Sequence, residues 1–327
     1  MIKKCMVKYS LFNKKIIALF LCFNLFAINV VSQHISTASF SRLGFGSRGI
    51  ALSNAMNSVI YGEVTGYYNP AVLPFSNLKM ASLTFGILSL DRELDFLHYT
   101  QSLYPTAGFS IFLIRAGVKN IDSRDVDGHH IENLSTSEFQ LGFAFSNRII
   151  EKLSAGLSLK FYYNKLYREM KTQTLGIDFG VLFKFNDNIT VGASIHDINA
   201  KYKWDSSIIY QEKGRTIVET FPKTISLGLT YAIKDIFFTS IEYDNIGREK
   251  FFNLGSELYP LYFITDGFKQ SLAIRGGVRL FQNYLDFSLG FGLSRKIGNF
   301  VVFFDYAYRF ERYSPSGMQL LTLGLKL

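Results

Sequence analysis

From residue 79 onward, apolar and polar residues alternate with period two, in segments of roughly ten to fifteen residues separated by short polar turns. That is the pattern of β-strands with two unlike faces. One segment sets Leu285, Phe287, Leu289, Phe291 and Leu293 against Asp286, Ser288, Gly290, Gly292 and Ser294. The next sets Phe300, Val302, Phe304, Tyr306 and Tyr308 against Asp305, Ala307 and Arg309. In 153–163 and 175–185, Lys160, Asp178 and Lys184 fall on the polar side. Fourteen segments are placed, near 79–90, 93–103, 106–118, 136–147, 152–168, 173–185, 188–203, 222–233, 235–246, 250–259, 268–281, 284–297, 299–311 and 318–327.

Two architectures use such strands. A soluble sandwich or barrel turns the apolar face inward, whereas a membrane barrel turns it to lipid and keeps a polar interior. The segments exceed the usual strand of about five or six residues. Their apolar faces are rich in Phe and Tyr, and their polar faces in Gly and Ser with scattered charge. The expected fold is therefore all-β: a 14-stranded antiparallel transmembrane β-barrel over 79–327. An even strand number closes such a barrel, and connections after odd strands should be the long outer ones. The two longest, 119–135 and 204–220, follow strands three and seven. One connection at the opposite end, 260–267, is longer than this rule expects.

Residues 33–78 do not alternate. They hold a Gly-rich entry, a short helical stretch across 50–60, and "GYYNPAVLPF". Their mixed apolar character and anchoring Gly and Pro residues favour a packed hatch or plug over a trailing tail. Gly44, Gly46 and Gly49 spell G-x-G-x-x-G, with Glu63 at the distance of a ribose-binding acid. That spacing binds dinucleotides only between a strand and a helix of a βαβ unit. No Val/Ile-rich strand precedes Gly44 and no crossover follows Gly49, so the glycines read as turning and close-packing points.

Composition adds a destination. Residues 1–32 carry five of the nine excess positive charges, Lys3, Lys4, Lys8, Lys14 and Lys15, ahead of the apolar run 16–31. A basic stretch, an apolar stretch and a small residue at Ser32 form a secretory signal peptide, and the remaining +4 leaves no basic stripe for nucleic acid. Both cysteines, Cys5 and Cys22, lie within that leader. The exported chain has no disulfide, thiol nucleophile or cysteine metal site.

The stretch "SFSRLGFGSRGIALSNAMNSVIYGEVTGYYNPAVLPF" resembles the N-terminal signature of the PorV/PorQ family, F-L-x-x-G-x-G-x-R-x-x-A-x-G-x-A leading to W-N-P-A-x-L. Phe40, Gly44, Gly46, Arg48, Ala51, Ala55, Asn69, Pro70, Ala71 and Leu73 match, and Tyr68 replaces the usual Trp. Later stretches such as "LSAGLSLKFYYNKL" and "FSLGFGLSRKIGNFVVFFDYAY" are similar to the family's strands. Leu327 departs from the aromatic ending of most outer-membrane barrels.

The resemblance implies an outer-membrane location in a Gram-negative, Bacteroidota-like bacterium and kinship to the FadL fatty-acid channels. It implies a hatch built around Gly44, Gly46, Arg48, Gly49, Asn69 and Pro70. It also implies protein partners in type IX secretion and surface attachment. The alternative is a FadL-like passive channel for hydrophobic small molecules.

Candidate chemistry is sparse. Lys160, Asp178, Lys184, Asp286 and Arg309 are expected lumen charges that pair with one another or with the hatch, and Arg48 is expected to bond to lumen acids or to the Gly-rich turn. Asp122, Asp125, Asp127 and Glu132 with His129 and His130 could hold an adventitious cation. Their spacing fails the calcium-loop pattern, because Leu134 falls where the bidentate Glu belongs. A lipid-side hydrolase needs Ser and His on one outward face beside an orienting acid or amide, and His98 shows no such partner. No catalytic residue, cofactor or built metal site is expected. The partners expected are outer-membrane lipid, a secretion machinery or a hydrophobic ligand.

Overall fold

A computed structural model describes residues 37–327, apart from 77–78, 168, 211–213, 234–235, 264–270, 283, 312–313 and 315. The leader expected at 1–32 and part of the connection at 260–267 lie outside the described residues.

Fourteen strands form a closed antiparallel barrel. They are β1 (Lys79–Ile87), β2 (Arg92–Leu103), β3 (Ala107–Arg124), β4 (His130–Ile150), β5 (Leu153–Tyr167), β6 (Met170–Lys184) and β7 (Ile189–Ile198), then β10 (Thr224–Ile233), β11 (Phe237–Ile246), β12 (Glu249–Leu258), β13 (Leu272–Phe281), β14 (Tyr284–Ile297), β15 (Phe300–Arg309) and β16 (Met318–Lys326). A two-stranded sheet, β8 (Lys201–Asp205) with β9 (Thr216–Thr220), stands between β7 and β10. The ring closes where β1 meets β16, with Met80 opposite Lys326 and Ile87 opposite Gln319.

The alternation read from sequence is the alternation of burial. Along β5, Ser154, Ser158, Lys160, Tyr162 and Asn164 are buried while Leu157, Leu159 and Phe161 are exposed. Along β10, Ser226 and Thr230 are buried and Ile225, Leu227, Leu229 and Tyr231 exposed. A soluble protein could not leave so continuous an apolar outer surface in water. No helix among the described residues is long and apolar enough to cross a membrane, so strands do the crossing.

Three expectations change. The stretch 119–135 is mostly ladder: β3 and β4 run 18 and 21 residues, about twice what a crossing needs. The stretch 188–203 breaks at Asp197 and Asn199, both with positive φ, and the chain continues as the β8–β9 pair instead of a free loop. The helix expected across 50–60 is α1 (Gly46–Ala51); Ser53 and Asn54, both at positive φ, end it early.

Candidate functional site

Residues 37–76 pack against buried positions of the barrel strands. The glycines of "GFGSRG" direct their entry. Gly44 (φ +122°) and Gly46 (φ +67°) occupy backbone regions that side chains rarely adopt, and Gly46 starts α1. At Gly49 a Cβ would overlap the Tyr68 ring. The Tyr68 hydroxyl accepts from the Phe45 N–H at 2.7 Å and lies 3.1 Å from Asn54 Oδ1, so the matched signature folds onto itself. Asn69, fully buried, accepts from the Ala71 N–H at 2.9 Å to cap a 3₁₀ turn at Pro70–Phe75. Its amide donates to the Asn57 carbonyl at 2.9 Å and to Val181 of β6 at 3.3 Å. Pro70 at the first helical position has no N–H to leave orphaned.

Small residues on the strands receive this segment. Gly192 and Gly228 face each other across β7 and β10, and a Cβ on Gly192 would lie 2.5 Å from the Asn57 carbonyl oxygen. Gly255 and Gly277 face each other across β12 and β13. Their added Cβ atoms would lie 2.5 Å from the Leu52 oxygen and 2.6 Å from the Leu52 carbon. Hydroxyls complete the fit: Ser47 with Thr322 (2.7 Å), Ser58 with Thr230 (2.7 Å), and Ser154 donating to the Ala71 carbonyl (2.5 Å).

Two buried ionic groups flank the segment. In the first, Arg48 Nε and Nη2 donate to Glu257 Oε2 and Oε1 of β12 at 2.8 and 3.1 Å, and its Nη1 donates to the Glu63 carbonyl. Glu257 also accepts from Arg275 of β13 at 2.6 Å and from Tyr259, and Arg275 reaches Asp305 of β15. Glu63 lies 3.4 Å from Lys326. Burial, and then the nearby Asp305 carboxylate, pushes its carboxyl up to about 7. Glu63 thus belongs to an ion network rather than to a nucleotide site.

In the second, Lys160 lies 2.7 Å from Asp178 and 3.3 Å from Asp197, whose carboxylate is 3.7 Å from Arg42. His196 Nδ1 is 3.0 Å from Asp178 and its Nε2 2.8 Å from Ser194 Oγ. This is the connectivity of a Ser–His–Asp relay, and nothing in the spacing of 178, 194 and 196 singled it out. Ser194 Oγ also accepts from Asn57 at 2.6 Å and Asp178 is shared with Lys160, so the bonds tie the segment to β6 and β7. His98 is likewise buried, paired with Thr100 at 2.5 Å.

The remaining candidates scatter. Arg309 lies 3.9 Å from Asp286 and donates to the Leu43 carbonyl at 3.2 Å. Lys184 pairs with Asp187 at 2.8 Å in the β6–β7 turn. Ligand atoms of Asp125, Asp127 and His129 lie within 4.8 Å of one another and are exposed. Asp125 already accepts from the N–H groups of Asp127 and His129 at 3.0 and 2.8 Å; the His129 N–H chiefly holds its carboxyl below the usual range. Asp122 pairs with Arg124 and His130 instead, at 2.7 and 2.6 Å.

Besides one of about 30 Å³ next to Phe45 and Thr322, two cavities border the segment. One, of about 60 Å³, is lined almost wholly by polar groups, among them Arg42, Lys160, His196, Glu242, Asp244 and Arg279. The other, of about 740 Å³, lies at the end of the short turns. Its lining mixes the charged Glu63, Lys184, Asp187, Arg275, Asp305 and Lys326 with the apolar Ile60, Phe75, Phe238, Val301 and Phe303, and Lys326 Nζ lies 4.8 Å from the Phe303 ring centroid.

No protein-family model and no curated protein matches the chain. Solved structures do. The toluene transporter TbuX of Ralstonia pickettii superposes with TM-score 0.61 at 11% identity, over 86% of this chain and 98% of that one. The toluene transporter TodX of Pseudomonas putida gives 0.60 at 12%, over 86% and 96%. A FadL homologue of Pseudomonas aeruginosa gives 0.61 at 11%, over 86% and 98%. At such identity the likeness is one of fold. The chain shares with these structures the fold of a closed 14-stranded antiparallel barrel.

Proposed function

We propose that the protein is a gated outer-membrane channel for hydrophobic small molecules, with residues 37–76 as the hatch. The cavity of about 740 Å³ carries this reading: it sets apolar side chains beside a few charged ones at the short-turn end, next to the segment that a solute must displace or skirt. Binding sites for small apolar molecules are typically concave, largely apolar and equipped with a few placed polar groups. The hatch contacts β1 to β7 and β10 to β16, so passage is coupled to its movement.

Uptake of radiolabelled toluene and of a long-chain fatty acid by cells with and without the protein tests the proposal. We expect faster uptake of at least one. Equal uptake of both, with the barrel folded in the membrane, refutes it.

The resemblance to PorV/PorQ, together with a β3–β4 hairpin standing far above the other strands, supports a second reading as a protein-binding component of type IX secretion. Copurification from native membranes separates the two. Secreted proteins bound through residues 118–136 favour secretion; bound lipid or hydrocarbon alone removes it.

A further inference from the structure

We propose that the outer wall of β5 and β6, just beyond the apolar belt, binds the phosphate head of an outer-leaflet lipid. The reading depends on the barrel's place in a membrane and not on its cargo.

Lys165 and Lys171 stand directly opposite each other across the β5–β6 ladder. Both are exposed, alternating with the buried Asn164 and Thr172, so both ammonium groups leave the same outward face. Like charges facing across a ladder oppose the pairing. Here they do so two residues from the end of β5, at a register irregularity. An anion between them turns that repulsion into attraction.

β8 does not share this face: its Lys203 and Lys201 N–H groups donate to the hydroxyls of the inward-facing Thr172 and Thr174 at 3.1 and 3.4 Å, which sets β8 on the lumen side of β6. No ion pair engages Lys165 or Lys171 among the described residues. Glu169 lies in the β5–β6 turn. Two compact, strongly hydrated ammonium groups facing each other suit a phosphate, which each meets as a point charge.

The face below the lysines identifies the source of that phosphate. Next along the outward positions come Tyr163 and Phe139, with ring centroids 6.3 Å apart, and then the exposed Phe161, Leu175, Leu159 and Ile177. Aromatic residues at the boundary and aliphatic ones below it are the order of a membrane interface. A lipid can therefore lay its acyl chains on the belt while its head reaches the lysines; free phosphate would leave the belt unused. The site lies at the end bearing the β8–β9 excursion and the tall β3–β4 hairpin. Longer connections mark that end as the external one.

The test is native mass spectrometry of the full chain in detergent, titrated with a phosphorylated lipid A and with the same lipid after phosphate removal. We expect stoichiometric binding of the phosphorylated form. Lys165→Gln/Lys171→Gln should weaken it by about tenfold or more, and Lys165→Arg/Lys171→Arg should retain it. A control, Lys152→Gln/Lys296→Gln, removes exposed lysines near the opposite end and should leave binding unchanged. Heat-modifiable gel migration establishes that every variant is a folded barrel. Equal binding of the dephosphorylated lipid, unaltered affinity in Lys165→Gln/Lys171→Gln, an equal loss in the control, or complete displacement by millimolar inorganic phosphate would each overturn the proposal.

Discussion

The proposed hatch, residues 37–76, is seated against paired glycines, and adding one carbon to each of a pair is the sharpest way to lift it. In Gly255→Ala/Gly277→Ala the new methyl groups would lie 2.5 Å from the Leu52 oxygen and 2.6 Å from the Leu52 carbon and Ser53 nitrogen. Carbon contacts settle near 3.5–4.0 Å, so the Leu52–Ser53 backbone must retreat by about 1 Å. Overpacking of this kind costs about 1–3 kcal/mol per site, hence about 2–6 kcal/mol for the pair. The backbone bonds here lie within the segment and can move with it, Ser53 N–H to Ile50 and Ala55 N–H to Leu52 at 3.0 and 3.1 Å, while Ser53 Oγ reaches Ser288 Oγ on β14 only at 3.4 Å. Since about 1.4 kcal/mol is a factor of ten, the ratio of displaced to seated hatch should rise at least tenfold.

Single-channel recording in planar bilayers reads that ratio as open probability, and sensitivity of cells to a large antibiotic reads it in vivo. Gly276→Ala is the control on the same strand, because its Cβ would meet only Leu289 Cδ2, at 3.8 Å. A double variant as silent as Gly276→Ala, with an intact heat-modifiable barrel, refutes the idea that these glycines seat a hatch.

Two further outcomes follow from the ion network. Arg48→Met keeps much of the side-chain volume but removes the two-pronged contact to Glu257, which retains Arg275 and Tyr259. Breaking a buried pair costs roughly 3 kcal/mol, seen as a lower thermal midpoint and more frequent openings; an unchanged midpoint counts against a structural role for Arg48. Glu63, with its carboxyl raised to about 7 from about 4.3 in an unfolded chain, binds its proton more tightly in the folded protein. Its contribution is fully present below pH about 4.3 and lost as pH rises through 7, by at most about 4 kcal/mol. Glu63→Gln should flatten that decline in a pH series of unfolding midpoints, and a slope equal to the parent's contradicts the assignment.

The strand pattern was legible because lipid outside and packed polar groups inside impose opposite demands on alternate residues. All fourteen barrel strands follow from it. It failed where those demands lapse. Beyond the membrane, "KNIDSR" of β3 and "HIENLSTSE" of β4 are polar on both faces and carry no period, although their backbones pair on. The break after β7 rests on positive φ at Asp197 and Asn199, which residue type alone does not announce.

The site was legible only in its parts. Gly44, Gly46 and Gly49 were recognisable as turning and close-packing residues, and Lys160 and Asp178 as inward charges. Their partners were not, because Arg48 meets Glu257 across 209 positions of sequence and Ser194 meets Asn57 across 137. Only closure of the ring brings such residues together.

That closure also imposes an order of assembly. The β1–β16 ladder joins the first barrel strand to the last, so in chain order it is the final seam that can form. The hatch precedes β1, yet it ends up touching strands on every side. Either it is held in place while the sheet curls around it, or it must thread into a finished ring through the mouth of the short turns. In the first route the paired glycines act during biogenesis, as a mould on which the curvature of the barrel is cast.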